Sequence, residues 1–368
     1  MAKVRPLFNM LNVKYLQFGV FAQKLSIDEQ MVPYLGRHSC KMYIQNKPIK
    51  FGYKIWCLAS SEGYLFQAMP YSGASDTYDP ELGQGSSVVL SMMEYIEFPA
   101  RHELFMDNFF TSHHLMCILK DKRMCATGTC KPVRFPNLEA SGKLKTGKQL
   151  PKGEFDAVVD VENQILVCRW QDNREVTVAT NYDRMEPVSQ VQRWQKSKKD
   201  KKGKVLEEAY NKKIDCPAPI RNYNLGMGGV DLHDNGIQNY RVNIRSKKWY
   251  WPLFVSCLSS ALVNGWKLQC FLRKYEHDMG NQMTRRQRKP SQKAFRVEVT
   301  RTLLLSFPNQ VNAEFGESRV KEGHDAEDGN HVPRMQEFHL PYRGETRIRC
   351  ALCKKNPTVY RCRACNRA

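Results

Sequence analysis

Three aspartates stand where carboxylates are not expected. Asp107, in "ELFMDNFF", interrupts an apolar run, with Leu-Phe-Met before it and Phe-Phe after it. Asp28 follows Leu-Ser-Ile in "KLSIDEQMV", a similar setting. Asp231 follows a glycine-rich stretch in "NLGMGGVDLHDNG", with Asp234 one helical turn further on. A carboxylate amid buried apolar residues needs a partner or a metal ion, because an unpaired charge is costly away from water. Asp107 also falls at the end of an expected strand, just before an expected helix cap. The carboxyl ends of strands in open α/β sheets are where ligand sites form. Taken singly, each residue also reads as a strand-end or N-cap aspartate, and spacing alone does not make them converge.

A second chemistry is written near the C-terminus. Cys350, Cys353, Cys362 and Cys365 form a C-x2-C-x8-C-x2-C arrangement in "RCALCKKNPTVYRCRAC". Two CxxC knuckles suit tetrahedral thiolate coordination of Zn²⁺. The thirteen cysteines are otherwise scattered singly, and "MAKVRPLFNMLNVKYLQFGV" has no apolar run like that of a signal peptide. Reduced thiols and a metal site are therefore expected rather than a disulfide framework.

The charge balance names a partner class. The 368 residues carry a formal net charge of +20, with 42% hydrophobic and 11% aromatic residues. That composition belongs to a folded globular chain, and its charge calls for a polyanion, nucleic acid first, whose condensed counterions Lys and Arg release. "NIRSKKWYWP" places Arg245, Lys247 and Lys248 beside Trp249, Tyr250 and Trp251. Its lysines suit phosphate contact, its rings stacking or the core. "WQKSKKDKKGK", with Lys198 and Lys199, reads as a DNA-backbone track, a nuclear-import signal or a solvated loop. His113, His114 and His233, near the acids, read as ordinary helix-surface residues. The stretch "WYWPLFVSCLSSALV" is too short and serine-rich to span a bilayer and reads as a buried helix; no membrane partner is expected.

The elements that must position these groups alternate. "KPIKFGYKIWCLASSEGYLFQAMPYSG" reads as two strands around a Ser-Ser-Glu-Gly turn. "SVVLSMMEYI" has helical spacing, "ELFM" is a short strand, and Thr111 or Ser112 caps a helix bearing Leu115, Ile118 and Leu119. "CATGTC" is another strand, so an α/β core is expected. "ILVCRWQDNREVTVATNYD" is a hairpin turning at Asp172-Asn173. Helix resumes after Gly229 and runs, with a break near Pro252, to about Tyr275.

"LSIDEQMVPYLGRHSCKMYIQNKPIKFGYKIW", "FMDNFFTSHHLMCILK", "ATGT" and "YNLGMGGVDLHDN…YRVNIRSKKWYWPLF" resemble, in order, the signature blocks of piggyBac transposases and piggyBac-derived proteins, over roughly residues 4 to 275. The resemblance implies an α/β, RNase H-like catalytic core interrupted by a β-rich insertion domain. The corresponding boundaries are 1–131 for the first part of the core, 132–215 for the insertion, 216–290 for the second, helical part, 291–340 for a linker and 341–368 for a cysteine-rich zinc-finger-like segment. It implies that Asp28, Asp107 and Asp231 form an aspartate triad holding two Mg²⁺ ions, with Mn²⁺ as a substitute and Asp234 as a supporting acid. Such a site nicks transposon ends, passes through a DNA hairpin and joins the free 3′ end to a TTAA target. A nuclear location and a homodimer at full length come with it. The chain begins almost at the first core block and stops at Ala368, so a core truncated at both ends is expected. The four cysteines then form either half of a cross-braced two-zinc module or one compact site. The alternative to a transposase is a domesticated or degraded relative that binds DNA without catalysis.

Overall fold

The run "FGYKIWCLAS" is buried from its second residue to its last, which marks a strand covered on both faces. In the computed structural model it is β3 (Phe51–Ser60), near one side of a nine-stranded sheet with the order β2-β3-β1-β5-β6-β9-β8-β7, with β4 also pairing β3. The strands are β1 (Lys24–Pro33), β2 (Met42–Tyr43), β4 (Leu65–Pro70), β5 (Glu103–Met106), β6 (Cys125–Thr129), β7 (Phe155–Asp160), β8 (Ile165–Gln171) and β9 (Glu175–Thr180). The structure describes residues 1–19, 22–45, 47–73, 79–135, 144–145, 149–195, 198–199, 205–207, 210–242, 244, 246–280, 290–306, 341–349 and 357–362.

Strand direction changes along the sheet. β1 is antiparallel to β3 but parallel to β5, and β5 is parallel to β6. The β5–β6 connection carries helix α3 (His113–Asp121), the crossover that a parallel pair requires. Helices α2 (Gly83–Met93) and α3 cover one face, burying Val88, Val89, Met92, Leu115, Met116 and Leu119 against Leu25, Ile27, Trp56 and Leu58. The other face, with Tyr53, Ile55, Cys57 and Ala59, packs against α1 (Arg5–Phe18), α5 (Gly229–Gln238) and α6 (Trp251–Asp278). Helix α4 (Ala218–Gly226) precedes α5 and packs Ile220 with Trp170 and Val178.

The hairpin at Asp172-Asn173 forms as its sequence requires, with Gln171 opposite Glu175. Its strands do not stand apart from the core, since β9 pairs antiparallel with β6 and continues the same sheet. Two further two-stranded sheets pair β10 (Ser189–Gln195) with β13 (Tyr210–Cys216) and β11 (Lys198–Lys199) with β12 (Val205–Glu207). The stretch Trp249–Val263 is not uniformly buried. Pro252 lies in the first turn of α6, where its missing N–H costs nothing, rather than inside a broken helix. One stripe, Leu253, Ser256, Cys257, Ser260 and Val263, is buried, while Phe254 and Leu258 face outward.

Residues 1–292 and 293–368 form two compact units. The second contains most of α7 (Gln292–Ser306) and the antiparallel pair β14 (Pro341–Arg349) and β15 (Pro357–Cys362).

Candidate active site

The parallel ladder between β1 and β5 ends at Ile27 opposite Met106. Asp28, midway along β1, and Asp107, just past the end of β5, each follow that last rung, so two residues far apart in sequence arrive side by side where the parallel pairing stops. Asp107 is fixed by the turn it begins. Its main-chain oxygen accepts from the Phe110 and Thr111 amides, each at 3.2 Å, and its Oδ1 accepts from Phe109 N–H at 2.8 Å. Ser112 then caps α3, accepting from Leu115 N–H at 3.2 Å. Arg134 donates to the carbonyls of Asn108 and Phe109 and holds the turn from outside. A side chain on Gly128 of β6 would collide with Thr111 Oγ1, which explains the glycine of "ATGT".

Glu29 completes the group. Asp28, Glu29 and Asp107 each offer a carboxylate oxygen, and these oxygens lie within 4.8 Å of one another. Burial, then the charge of Glu29, pushes the Asp28 carboxyl up to about 8. Burial also raises Asp107, with Glu29 adding to it. Two lysines answer these charges. Lys47 lies 3.1 Å from Glu29 Oε1. Burial alone would lower its pKa, but Asp28, Glu29 and Asp231 together raise it, so the ammonium stays charged. Lys54 lies 4.1 Å above the Trp56 ring and 4.9 Å from the Phe109 ring, which fixes its position, and burial lowers its pKa.

Helix α5 brings the remaining acids. Gly228 takes a left-handed φ of 99° before the helix. A Cβ on Gly229 would collide with the Ser60 carbonyl and come within 2.7 Å of Ser26 Oγ. The glycines therefore turn the chain and let α5 lie directly on β1 and β3. Asp231, exposed in the first turn of α5, is not one of the three clustered carboxylates, although its charge acts on Lys47. Asp234 accepts from Gln30 Nε2 at 3.0 Å and from Gln238 Nε2 at 2.8 Å. Burial raises its pKa, against the pull of those two amides.

His233 differs from its sequence reading. It is 1% exposed and pins α5 to its neighbours, with Nε2 2.6 Å from Ser260 Oγ and Nδ1 3.1 Å from the Gly63 carbonyl. Burial holds its pKa down at about 4. The unfolded chain takes up a proton near pH 6.5 that the native state refuses until about 4, so stability is lost as pH falls through that window. His233 alone is expected to remove about 3 kcal/mol between pH 7 and 4. Chemical denaturation at both pH values, with His233→Gln lacking this loss, checks it. His113, also read as a surface residue, bonds Asp160 Oδ2 at 2.8 Å.

The family described as "Transposase IS4" matches residues 1–266. The human "PiggyBac transposable element-derived protein 3" is 33% identical over 377 residues, covering 99% of this chain. The chain belongs to the piggyBac-type transposase family. Human "PiggyBac transposable element-derived protein 2" is 33% identical over 271 residues, 73% of this chain. The chain spans 57% and 44% of the lengths of these two relatives. The cryo-EM structure of a piggyBac transposase synaptic complex with hairpin DNA aligns with a TM-score of 0.64 at 21% identity, covering 85% of this chain and 59% of that one. The likeness is one of fold, mixed α/β. Family membership implies dependence on a divalent metal, and Asp28, Glu29 and Asp107 are the described group able to hold one.

Other expected contacts of this piggyBac-type chain are placed in part. Lys247 and Lys248 are exposed ahead of α6, while Trp249 stacks on His38 at 4.2 Å and packs on the core. Trp251 stacks on Phe254 at 5.6 Å. Lys198 and Lys199 form β11, of which only the backbone is described. Arg245, Cys350, Cys353 and Cys365 lie outside the described residues, and Cys362 ends β15. Among the described residues, no helix is long and apolar enough to cross a membrane. Sequence reasoning missed Glu29, Lys47, Lys54 and Arg134; the first is adjacent to Asp28 in "IDEQ", but nothing local distinguishes the others.

Proposed function

We propose that residues 1–292 are an RNase H-like catalytic core of a cut-and-paste DNA transposase, cleaving and rejoining strands at TTAA targets. One observation carries this reading: Asp28 and Asp107, each one residue past the last rung of a parallel ladder, meet with Glu29 in a single carboxylate cluster. The donor set, three carboxylates with oxygens within 4.8 Å of one another, fits hard, oxygen-seeking Mg²⁺, or Mn²⁺ in its place. When bound, two such ions would offset phosphate charge and help activate a water or 3′-hydroxyl for attack on the phosphodiester.

The chain's own groups divide the remaining work. Asp28 and Asp107 would hold the ions, and the Phe109 amide keeps the Asp107 carboxylate oriented. Asp231 is assigned to the triad by the family's GGVD motif, with Asp234 supporting it. Exposed Lys247 and Lys248, with Arg245, Lys198 and Lys199, would take DNA phosphates at transposon ends and target, drawn by the net charge of +20. The spacing of Cys350, Cys353, Cys362 and Cys365 supports a separate zinc site in the second unit. A nuclear, homodimeric full-length protein is part of the same reading.

Incubation with transposon-end DNA and Mg²⁺ tests the core of it. The parent chain is expected to nick one strand and Asp107→Ala to leave it intact. Binding without nicking by the parent would favour a domesticated DNA-binding relative. Nicking by both proteins would remove Asp107 from the site.

A further inference from the structure

Lys47 belongs to no strand or helix. It lies in the connection between β2 and β3, closed by a hydrogen bond from Ile44 N–H to the Lys50 carbonyl at 2.9 Å. From there its ammonium reaches Glu29 Oε1 at 3.1 Å, with the two side chains only 31% and 12% exposed. Glu29 is itself one of three carboxylates whose oxygens gather within 4.8 Å. A cluster of that kind, without a cation, would be strongly self-repelling.

We infer that Lys47 is the resident counter-ion of the Asp28–Glu29–Asp107 cluster, and that its ammonium must leave Glu29 before those carboxylates could hold a divalent cation. The inference rests on the metal-site reading above and adds the step by which the site changes charge. Lysine suits the role. Its ammonium is a compact charge on a flexible four-carbon stem, able to withdraw by rotating its own bonds. Lys54, fixed between Trp56 and Phe109, has no such freedom. An ammonium left against Glu29 would repel an incoming divalent ion, so the two cations compete for the same oxygens. The displaced Lys47 would then be free to meet a DNA phosphate. Loading would thus exchange one internal cation for another and turn the released one toward substrate.

The test is direct Mn²⁺ binding, by calorimetry or electron paramagnetic resonance, to the full chain without DNA. Lys47→Gln is expected to bind Mn²⁺ about tenfold more tightly than the parent, because no internal cation has to leave. Its metal-free form should melt at lower temperature, and Lys47→Arg, keeping the charge, should bind like the parent. In the parent, Mn²⁺ should speed amide exchange across residues 44–50. Equal or weaker binding by Lys47→Gln, in a variant that still unfolds cooperatively, overturns the counter-ion role. If neither protein binds Mn²⁺, the metal-site reading beneath it fails instead. Glu29→Gln supplies a second check, since it should weaken Mn²⁺ binding and release the 44–50 connection without metal; an unchanged affinity and unchanged exchange would count against the inference.

Discussion

Asp28→Asn is expected to lower metal-dependent strand cleavage by at least about a thousand-fold, equivalent to about 4 kcal/mol of transition-state stabilisation. The same substitution should make the metal-free protein more stable at pH 8. The two effects have one cause. Asp28 is 8% exposed and its carboxyl titrates near 8, driven up by burial first and by Glu29 next. The native state therefore binds a proton that the unfolded chain releases near pH 4. Stability from this group is fully present below pH 4 and is lost as pH rises through about 8. Asparagine is neutral throughout, and its amide oxygen can still accept the Glu29 N–H bond now made at 2.7 Å to Asp28 Oδ1. Thermal melts from pH 5 to 8 should show the parent losing stability relative to Asp28→Asn, with a gap of about 2 °C or more at pH 8. Mg²⁺ should narrow that gap by stabilising the parent alone. Equal melting curves across the range would remove Asp28 as a strained acid, and retained cleavage would remove it from the chemistry.

Gly229→Val should cost about 3 kcal/mol or more of stability and disable the site even where the fold survives. The obstacle is backbone. The first side-chain carbon would collide with the Ser60 carbonyl and approach its carbon at 2.9 Å, and neither can move without disturbing β3. Helix α5 would have to lift from the sheet, taking Asp231, His233 and Asp234 with it. The bond from Gln30 to Asp234 and the His233–Ser260 contact would lengthen together. Gly228→Ala is the control. Its Cβ meets nothing within 4 Å, so only the left-handed φ is penalised, by about 1–2 kcal/mol. Urea midpoints that fail to separate the two variants would show that α5 tolerates a wider seat than the structure gives it.

The sequence was most readable where one local rule decided the outcome. Ser112 caps α3 because its hydroxyl reaches an orphan amide, and the Asp172-Asn173 turn closes its hairpin because both flanking runs alternate. Asp107 was visible as a charge in an apolar strand. Glu29 was not, because alternation along a strand sends adjacent side chains to opposite faces. It joins Asp28 only past the end of the β1–β5 ladder, and that end is set by pairing with a distant segment. Lys47 and Lys54 are ordinary lysines in a basic sequence until the cluster, or the Trp56–Phe109 ring pair, gives each a place. His233 reads as a surface residue on helical spacing. Its burial follows from the close seat of α5, which depends on a glycine four positions earlier.

The pairing of β9 with β6 has a further consequence for engineering the chain. Because β6 meets β9 through Thr127, Gly128 and Thr129, residues 132–215 are not a cassette that can be lifted out and its ends rejoined. Excision would leave β6 with unpaired main-chain groups beside the glycine that seats the Asp107 turn. A bare strand edge recruits other edges, including its own in a second molecule. A minimised core would therefore need a replacement strand along β6, or it would trade a smaller protein for an aggregating one.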